Sequence, residues 1–377
     1  MSNNLIYFDH NATSPLLGWI KEEMDSVAMS PLNPSSVHSL GKSAKNLLST
    51  ARESLLDAVH AVNGYNAIFT SSGTEANNIA LKGLSVAKRI CTPIEHLSVL
   101  NVVGDATIPL GGDGIVDLEK LEALLAMLSE RSASGVLLSV ILANNETGVI
   151  QPISDVAIIA HKYNAIVHTD ASQAFGRLPI DMGQLNVDLL TISAHKAGGP
   201  VGVGALIFKK GLQLSPIMAG GQQEYGIRPG TQNVFAIHGL GVMCRNIDDI
   251  TTSFRKLEVL RDCIERRLQE FTNQVIVFGQ NSPRLPNTSS IGMLGVSNET
   301  QLIHFDLHDI AISAGSACSS GTIGVPYVQV AMGYDLKEAS TAVRVSLGPA
   351  NTQEEAERFV GVWKSLFDKI DSESGRV

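Results

Sequence analysis

The chain is poor in cysteine: its 377 residues hold four thiols, at positions 91, 244, 263 and 318, with no C-x-x-C spacing. So low a density excludes a disulfide framework, and the spacing gives no thiolate metal site, so the thiols are read as reduced and no metal centre is expected. Positive charge is scarce too. Against 37 Asp and Glu stand 28 Lys and Arg, a formal net charge of −9 without a dense basic patch, which leaves no electrostatic footprint for nucleic acid. No apolar run approaches the roughly 20 residues needed to cross a bilayer. The opening "MSNNLIYFDHNATSPL" lacks a basic segment followed by an apolar one, so it does not read as a secretory signal. These absences point to a cytoplasmic protein with no membrane and no direct nucleic-acid partner.

What the chain does have is alternation. Short apolar runs, "NAIFTSS" (66–72), "GVLLSVILA" (135–143), "NAIVHTD" (164–170), "VDLLTIS" (187–193) and "VGVGALIF" (201–208), are separated by helix-length segments. That rhythm predicts an α/β fold, a mostly parallel central sheet with helices on both faces. From about residue 236 the pattern changes. "TSFRKLEVLRDCIERRLQEF" places Phe254, Leu257, Leu260, Ile264, Leu268 and Phe271 at helical period, and Thr352 with Glu355 makes a capping-box start for a last helix. Between them "NQVIVFG" and "QLIHFDLHDIAIS" read as two short strands. The division expected is a large domain, 14–250, and a small α+β domain built from 1–13 and 251–377.

The informative polar residues stand at the ends of the predicted strands, where ligands collect in such folds. "FTSSGTEANN" follows a strand and opens a helix. Ser72 and Glu75 form an S-x-x-E cap, Gly73 allows close backbone approach, and the free N–H groups of a helix start attract anions. Taken alone this is an ordinary helix start, as "ANNETG" (143–148) is an ordinary turn and Asp170 in "HTDASQ" an ordinary cap. Lys196 in "SAHKAGGPVGVGAL" is harder to dismiss, since it follows a buried strand where core would continue. A desolvated lysine can lose its proton and form a Schiff base with a carbonyl. If it carries pyridoxal phosphate, an acid such as Asp170 can hold the pyridinium nitrogen and the helix start can hold the phosphate.

"YFDHNATSP", "NPSSVH", "SSGTEANN", "NNETGVIQP", "TDASQAFGRLPID", "SAHKAGGPVGVGAL", "RPGTQN", "SAGSAC" and "VRVSLG" occur together and in order. In these the chain resembles the class V aminotransferase-like, pyridoxal 5'-phosphate-dependent cysteine desulfurases of the nitrogen-fixation and iron–sulfur-cluster type, from residue 6 to about 355. The resemblance implies the fold type I of pyridoxal-phosphate transferases. It also implies roles. Lys196 would bond the cofactor, Asp170 pair with its ring nitrogen, His96 stack on the ring and serve in proton transfer, and Gln173 bond the phenolic oxygen. Asn145 would touch ring or substrate. Gly73, Thr74, Ser193 and His195 would bind the phosphate, and Thr231 would reach the phosphate of a neighbouring subunit, which implies a homodimer. Arg344, with Asn33, would clamp the substrate carboxylate, a bidentate task that suits a guanidinium.

By the same resemblance Cys318, in "ISAGSACSSGT", would take sulfur from L-cysteine as a persulfide and release alanine. Cys91, at the start of a predicted strand, Cys244 and Cys263 read as buried small hydrophobes. A selenocysteine lyase shares nearly every one of these residues, and another class V aminotransferase-type enzyme or an inactive cofactor-binding scaffold are the further alternatives. Many relatives carry a Leu-Glu-Pro-Ser-like segment where Ile323, Gly324, Val325 and Pro326 stand here. Tyr225 replaces a frequent arginine and Val201 a frequent lysine. A sulfur acceptor, either a cluster scaffold or a tRNA-thiolation carrier, is the implied protein partner, and its identity is left open.

Overall fold

The computed structural model describes residues 5–61, 63–129, 135–315 and 326–374. Among them thirteen strands follow one another along the chain. They are β1 (Ile6–Tyr7), β2 (Tyr65–Thr70), β3 (Lys88–Cys91), β4 (Ala106–Thr107), β5 (Val136–Ser139), β6 (Ile166–Asp170), β7 (Leu189–Ser193), β8 (Gly204–Lys209), β9 (Val275–Val277), β10 (Thr288–Met293), β11 (Ile310–Ala311), β12 (Ser313–Ala314) and β13 (Ala342–Ser346).

Seven strands form one sheet in the order β2-β8-β7-β6-β5-β3-β4. Only β8 runs against its neighbours; the remaining pairings are parallel. Side chains on the central strands alternate between two separate apolar clusters. Leu138, Val167, Leu190 and Ile207 enter one, and Leu137, Ile166, Leu189 and Leu206 the other. Both faces are therefore covered, which is why these strands read as continuous apolar runs rather than alternating ones. The α/β fold with a mostly parallel sheet is as expected. Its consequence for function is that β2, β3, β5, β6 and β7 all deliver their following loops to one edge.

A second sheet, wholly antiparallel, has the order β12-β13-β10-β9. The N-terminal segment lies beside it: β1 pairs in parallel with β11, and Asp9 bridges to Ser346 of β13. Two of these strands, β10 and β13, were not anticipated, and "QLIHFDLHDIAIS" is not a strand throughout. Ser297 caps a helix over Asn298–Asp306, its Oγ accepting the Thr300 N–H at 3.2 Å, so the segment turns extended only at β11 and β12. A local cap outweighs the apolar content here. Cys91 ends β3 rather than starting it.

The helical stripe at 252–271 is two helices, Ile247–Arg255 and Leu257–Phe271, separated at Lys256. Phe254, Leu257, Leu260, Ile264 and Leu268 are buried, whereas Phe271 keeps 37% of its surface exposed. Phe271 stands at the helix end and packs edge-on against Trp363 and Phe367, at ring distances of 6.4 and 5.7 Å. The last helix, Gln353–Ser374, begins with the expected reciprocal cap. Thr352 Oγ1 accepts the Glu355 N–H at 3.3 Å, and Glu355 Oε2 accepts the Thr352 N–H at 3.0 Å. Trp363 on this helix is fully buried and stacks on Phe367 at 5.6 Å. Trp363→Ala is expected to cost about 3–5 kcal/mol of stability, read from the shift of a chemical denaturation curve; a loss under about 1 kcal/mol would mean that the ring is not part of the packed core.

Candidate active site

Five strand ends converge on a cavity of about 870 Å³. After β2, Ser72 caps the helix Gly73–Lys82 through its Oγ, which accepts the Glu75 N–H at 3.2 Å. The return arm of the predicted box goes one residue further, Glu75 Oε2 accepting the Ser71 N–H at 2.5 Å. Gly73 and Thr74 therefore open the helix on the cavity wall, where backbone N–H groups lack intrahelical acceptors. A Cβ at Gly73 would lie 2.8 Å from Ser172 Oγ, so only glycine fits between the β2 and β6 loops.

After β6, Asp170 is buried, with its Oδ1 accepting the Ser172 N–H at 2.8 Å and its Oδ2 the Asn77 Nδ2–H at 2.7 Å. Burial pushes the Asp170 carboxyl up, but the Lys196 charge and the bonds from Ser172 and Asn77 outweigh it and hold it below the usual carboxylate range. After β7, Ser193 lines the cavity and one helical turn, Ala194–Ala197, presents His195 and Lys196. Burial pushes the Lys196 ammonium down to about 8, the Asp170 carboxylate opposing and the Arg177 and Arg344 cations assisting. His195 is pushed down to about 4, chiefly by burial, and its Nδ1 lies 3.1 Å from Thr13 Oγ1. The amine and the carboxylate thus reach the same space with a reactive lysine and an ionised acid.

After β3, His96 caps the short helix Leu97–Leu100 and faces the cavity. After β5 comes Asn145. Its side-chain Oδ1 is buried without a hydrogen-bond partner among the described residues, while its carbonyl accepts from Arg344 Nη1 at 3.0 Å and from Asn11 Nδ2 at 3.1 Å. Arg344, on β13, also donates to Asp9 Oδ1 at 2.7 Å. Those two bonds use two of the five guanidinium N–H groups, and three remain for a ligand. Gln173 donates from Nε2 to the Asn11 carbonyl at 3.0 Å and accepts at Oε1 from Arg177. Arg177 is buried with no carboxylate partner: it donates to the carbonyls of His10 at 2.9 Å and Lys196 at 2.6 Å and to Asn11 Oδ1 at 2.7 Å.

Gly73, Thr74, His96, Asn145, Asp170, Gln173, Ser193, His195, Lys196 and Arg344 all line this one cavity. Two predicted site residues do not. Asn33 is exposed and its Oδ1 accepts the Ser35 N–H of its own loop at 3.0 Å, so it is not beside Arg344. Thr231 is exposed on a separate loop. Cys318, with Ile323, Gly324 and Val325, lies outside the described residues. Of the other thiols Cys91 and Cys244 are buried, Cys91 pushed up to about 12, mainly by burial. Cys263 is only half-buried, and Gln353 Nε2, at the start of the last helix, donates to its sulfur at 3.6 Å.

The sequence reading assigned no role to Asn11, Asn77, Ser98, Glu146 or Arg177. Asn11, Asn77, Glu146 and Arg177 lay inside quoted motifs, yet their partners are too distant in sequence to be read. Glu146 is the least expected: it is buried, its Oε2 accepts from Gln329 Nε2 at 3.2 Å and its Oε1 has no partner among the described residues. The backbone of Gly315 passes directly over this carboxyl, leaving no room for a Cβ.

The family model for the class-V aminotransferases matches residues 6–359. The chain belongs to this family. Its members use pyridoxal phosphate. The chain is 35% identical to the cysteine desulfurase IscS of Dictyoglomus turgidum over 97% of its own length and 95% of the relative's. It is 36% identical to a cysteine desulfurase of Sinorhizobium fredii, covering 97% of each. Among solved structures, the NifS-like protein of Rickettsia africae superposes with a TM-score of 0.89 at 38% identity, over 97% of this chain and 99% of that one.

Two measurements probe the electrostatics of this class-V aminotransferase site. In the cofactor-free protein, labelling of Lys196 by a neutral acylating reagent should rise through about pH 8. Asp170→Asn removes the charge that favours the ammonium and should move the midpoint lower; an upward move would refute the coupling. Burial pushes Glu146 up from 4.5 to about 7. Between those values the folded chain holds a proton that the unfolded chain has lost, so the contribution of Glu146 to stability falls as pH rises. Glu146→Gln should therefore raise the melting temperature at about pH 8 relative to that at about pH 5, by roughly 1–3 °C compared with the wild-type chain. An unchanged pH dependence would show that Glu146 is ionised throughout.

Proposed function

We propose that the protein is a cytoplasmic cysteine desulfurase that converts L-cysteine to L-alanine, with the sulfur passing to Cys318 as a persulfide for iron–sulfur cluster or thio-cofactor and tRNA sulfur supply. The observation that carries the reading is Lys196, a depressed-pKa amine sharing a cavity with an ionised, buried Asp170 and a guanidinium with free donors. It is supported by relatives named as cysteine desulfurases along nearly the full chain, and by a structural neighbour titled as a complex with cysteine, 28% identical with a TM-score of 0.75 over 92% of this chain. No helix is long and apolar enough to cross a membrane among the described residues.

The residues present fit pyridoxal 5'-phosphate. The start of the helix at Gly73 and Thr74, with Ser193 and His195, would hold its phosphate. The Asp170 carboxylate would hold its ring nitrogen, Gln173 its phenolic oxygen, and His96 its ring face. When bound, the cofactor supplies an electron sink for the substrate's α-carbon. The chain's own groups do the rest. Arg344 binds the substrate carboxylate with the donors that Asp9 and Asn145 leave free. The unpartnered Asn145 Oδ1 accepts from the substrate. Lys196, neutral for part of its time near pH 8, takes and returns the α-proton. The Cys318 thiolate attacks the substrate sulfur, and the carbon–sulfur bond breaks. The balance is L-cysteine plus the Cys318 thiol giving L-alanine plus the Cys318 persulfide.

Residues 14–250 are read as the cofactor-binding unit, with 1–13 and 251–377 as the smaller one. A homodimer in which Thr231 serves the neighbouring site accounts for its exposure here. The sulfur acceptor is a partner protein, a cluster scaffold or thiolation carrier. Mass spectrometry after addition of L-cysteine should find one extra sulfur on the Cys318 peptide and free alanine in solution. Lys196→Ala should lower alanine release by roughly a thousandfold or more. Undiminished turnover in Cys318→Ala would overturn the persulfide step, and a rate with selenocysteine far above that with cysteine would make the enzyme a selenocysteine lyase.

A further inference from the structure

On the cavity wall, four polar side chains from three separate elements, the helix Gly73–Lys82, the capped helix Leu97–Leu100 and the end of β6, form one continuous hydrogen-bond chain. Asp170 is an ionised carboxylate and can only accept, so the atom of Asn77 that lies 2.7 Å from its Oδ2 is the amide nitrogen. The same nitrogen lies 2.8 Å from Ser98 Oγ. Its two hydrogens are thereby committed, one to Asp170 and one to Ser98, and Asn77 Oδ1 is left buried without a partner. Ser98 Oγ, accepting from Asn77, has its own hydrogen free for His96 Nδ1, which lies 2.8 Å away.

The remaining contact fixes the direction of that last bond. His96 Nδ1 also lies 3.1 Å from the Ser98 backbone nitrogen, as the cap of the helix Leu97–Leu100. A backbone N–H can only donate, so Nδ1 presents its lone pair there and carries no proton. Burial, reinforced by the Lys196 charge, lowers the His96 pKa and keeps the ring neutral. Its single proton then resides on Nε2, for which no protein partner exists among the described residues.

We propose that Asn77 and Ser98 are positioning residues that hold His96 as the Nε2–H tautomer, so that the imidazole faces the bound cofactor and substrate as a proton donor and not as a base. The polarity runs one way along the chain, from Asn77 outward to both Asp170 and His96. Asn77 thus supports two things at once, the ionised state of Asp170, beside Lys196 and Ser172, and the choice of proton-bearing atom on His96. A histidine in the opposite tautomer would lose the bond from the Ser98 backbone N–H and reverse the one with the Ser98 hydroxyl. The desulfurase reading determines only what the proton is used for. The tautomer itself is a property of this chain.

The test is nitrogen-15 NMR of protein labelled at histidine, in the cofactor-bound form, with the His96 signals assigned by their loss in His96→Gln. The wild-type chain should show an imine-type Nδ1 and a protonated, pyrrole-type Nε2. Ser98→Ala should move the Nδ1 resonance toward that of an unbonded imine nitrogen, and Ser98→Thr, which keeps the hydroxyl, should restore it. Asn77→Leu should move the same resonance although Asn77 does not touch His96. Alanine formation should fall by up to about 10²-fold in Ser98→Ala and recover in Ser98→Thr. A protonated Nδ1 in the wild-type chain overturns the proposal, and so does a Nδ1 resonance unmoved in Ser98→Ala. Absence of desulfurase activity with the predicted shifts intact would instead count against the reading of function alone.

Discussion

Everything at the candidate site depends on keeping a carboxylate charged inside the protein. Asp170 sits at the end of a fully buried strand, where burial alone would protonate it. Two directed hydrogen bonds and a nearby cation reverse that outcome. The bonds come from Ser172, two residues on, and from Asn77, on the far side of the β2 loop. Lys196 arrives from the next strand of the sheet. Because β6 and β7 are parallel neighbours, their ends are side by side, and the acid and the amine reach the same cavity. In turn the Asp170 carboxylate opposes the loss of proton affinity that burial imposes on Lys196.

The rest of the site is arranged around uncompensated positive charge. Arg177 is buried with carbonyl and amide oxygens as its partners and no carboxylate. Burial and the Arg344 charge push it down to about 9. Its bonds reach His10 and Asn11 in the N-terminal segment, Gln173 after β6 and Lys196 after β7, so one guanidinium locks three parts of the chain. A buried charge of this kind is costly unless its hydrogen bonds are made. Here it does two jobs. It orients Gln173 by occupying its Oε1, and it raises the positive field that helps to hold Lys196 near 8. A cofactor phosphate would bring negative charge into that field at the helix start of Gly73 and Thr74.

The second sheet enters the site through single side chains. Arg344 projects from β13 and is held by Asp9, which lies 335 positions earlier. Thr288, at the start of β10, accepts from Asn11 at 3.0 Å, and Gln329 reaches Glu146. Glu146 therefore stands where the loop after β5, the helix at Tyr327–Ala331 and the backbone at Gly315 converge. Gly315 is the last described residue before the segment that contains Cys318.

The sequence made the strand-end residues legible for a plain reason. Asp170 and Ser193 end apolar runs, Gly73 and Lys196 follow such runs by one and three positions, and a buried parallel strand announces itself by that run. The helix caps at Ser72 and Thr352 were legible because a cap is a contact over three residues. By contrast, Asn33 was placed by resemblance alone, and its side chain is spent on its own turn. "QLIHFDLHDIAIS" was misread because its apolar content suits either structure until Ser297 starts a helix. Local chemistry, in short, was determined by the sequence: the fold class, the strand ends and the types of residue gathered there. Tertiary structure alone decided the contacts between Asn77 and Asp170, Arg177 and Lys196, and Arg344 and Asp9. Those pairs are separated by 93, 19 and 335 positions. Directions of hydrogen bonds and shifts of pKa arise from such contacts, and no periodicity along one chain encodes which distant loops will share a cavity.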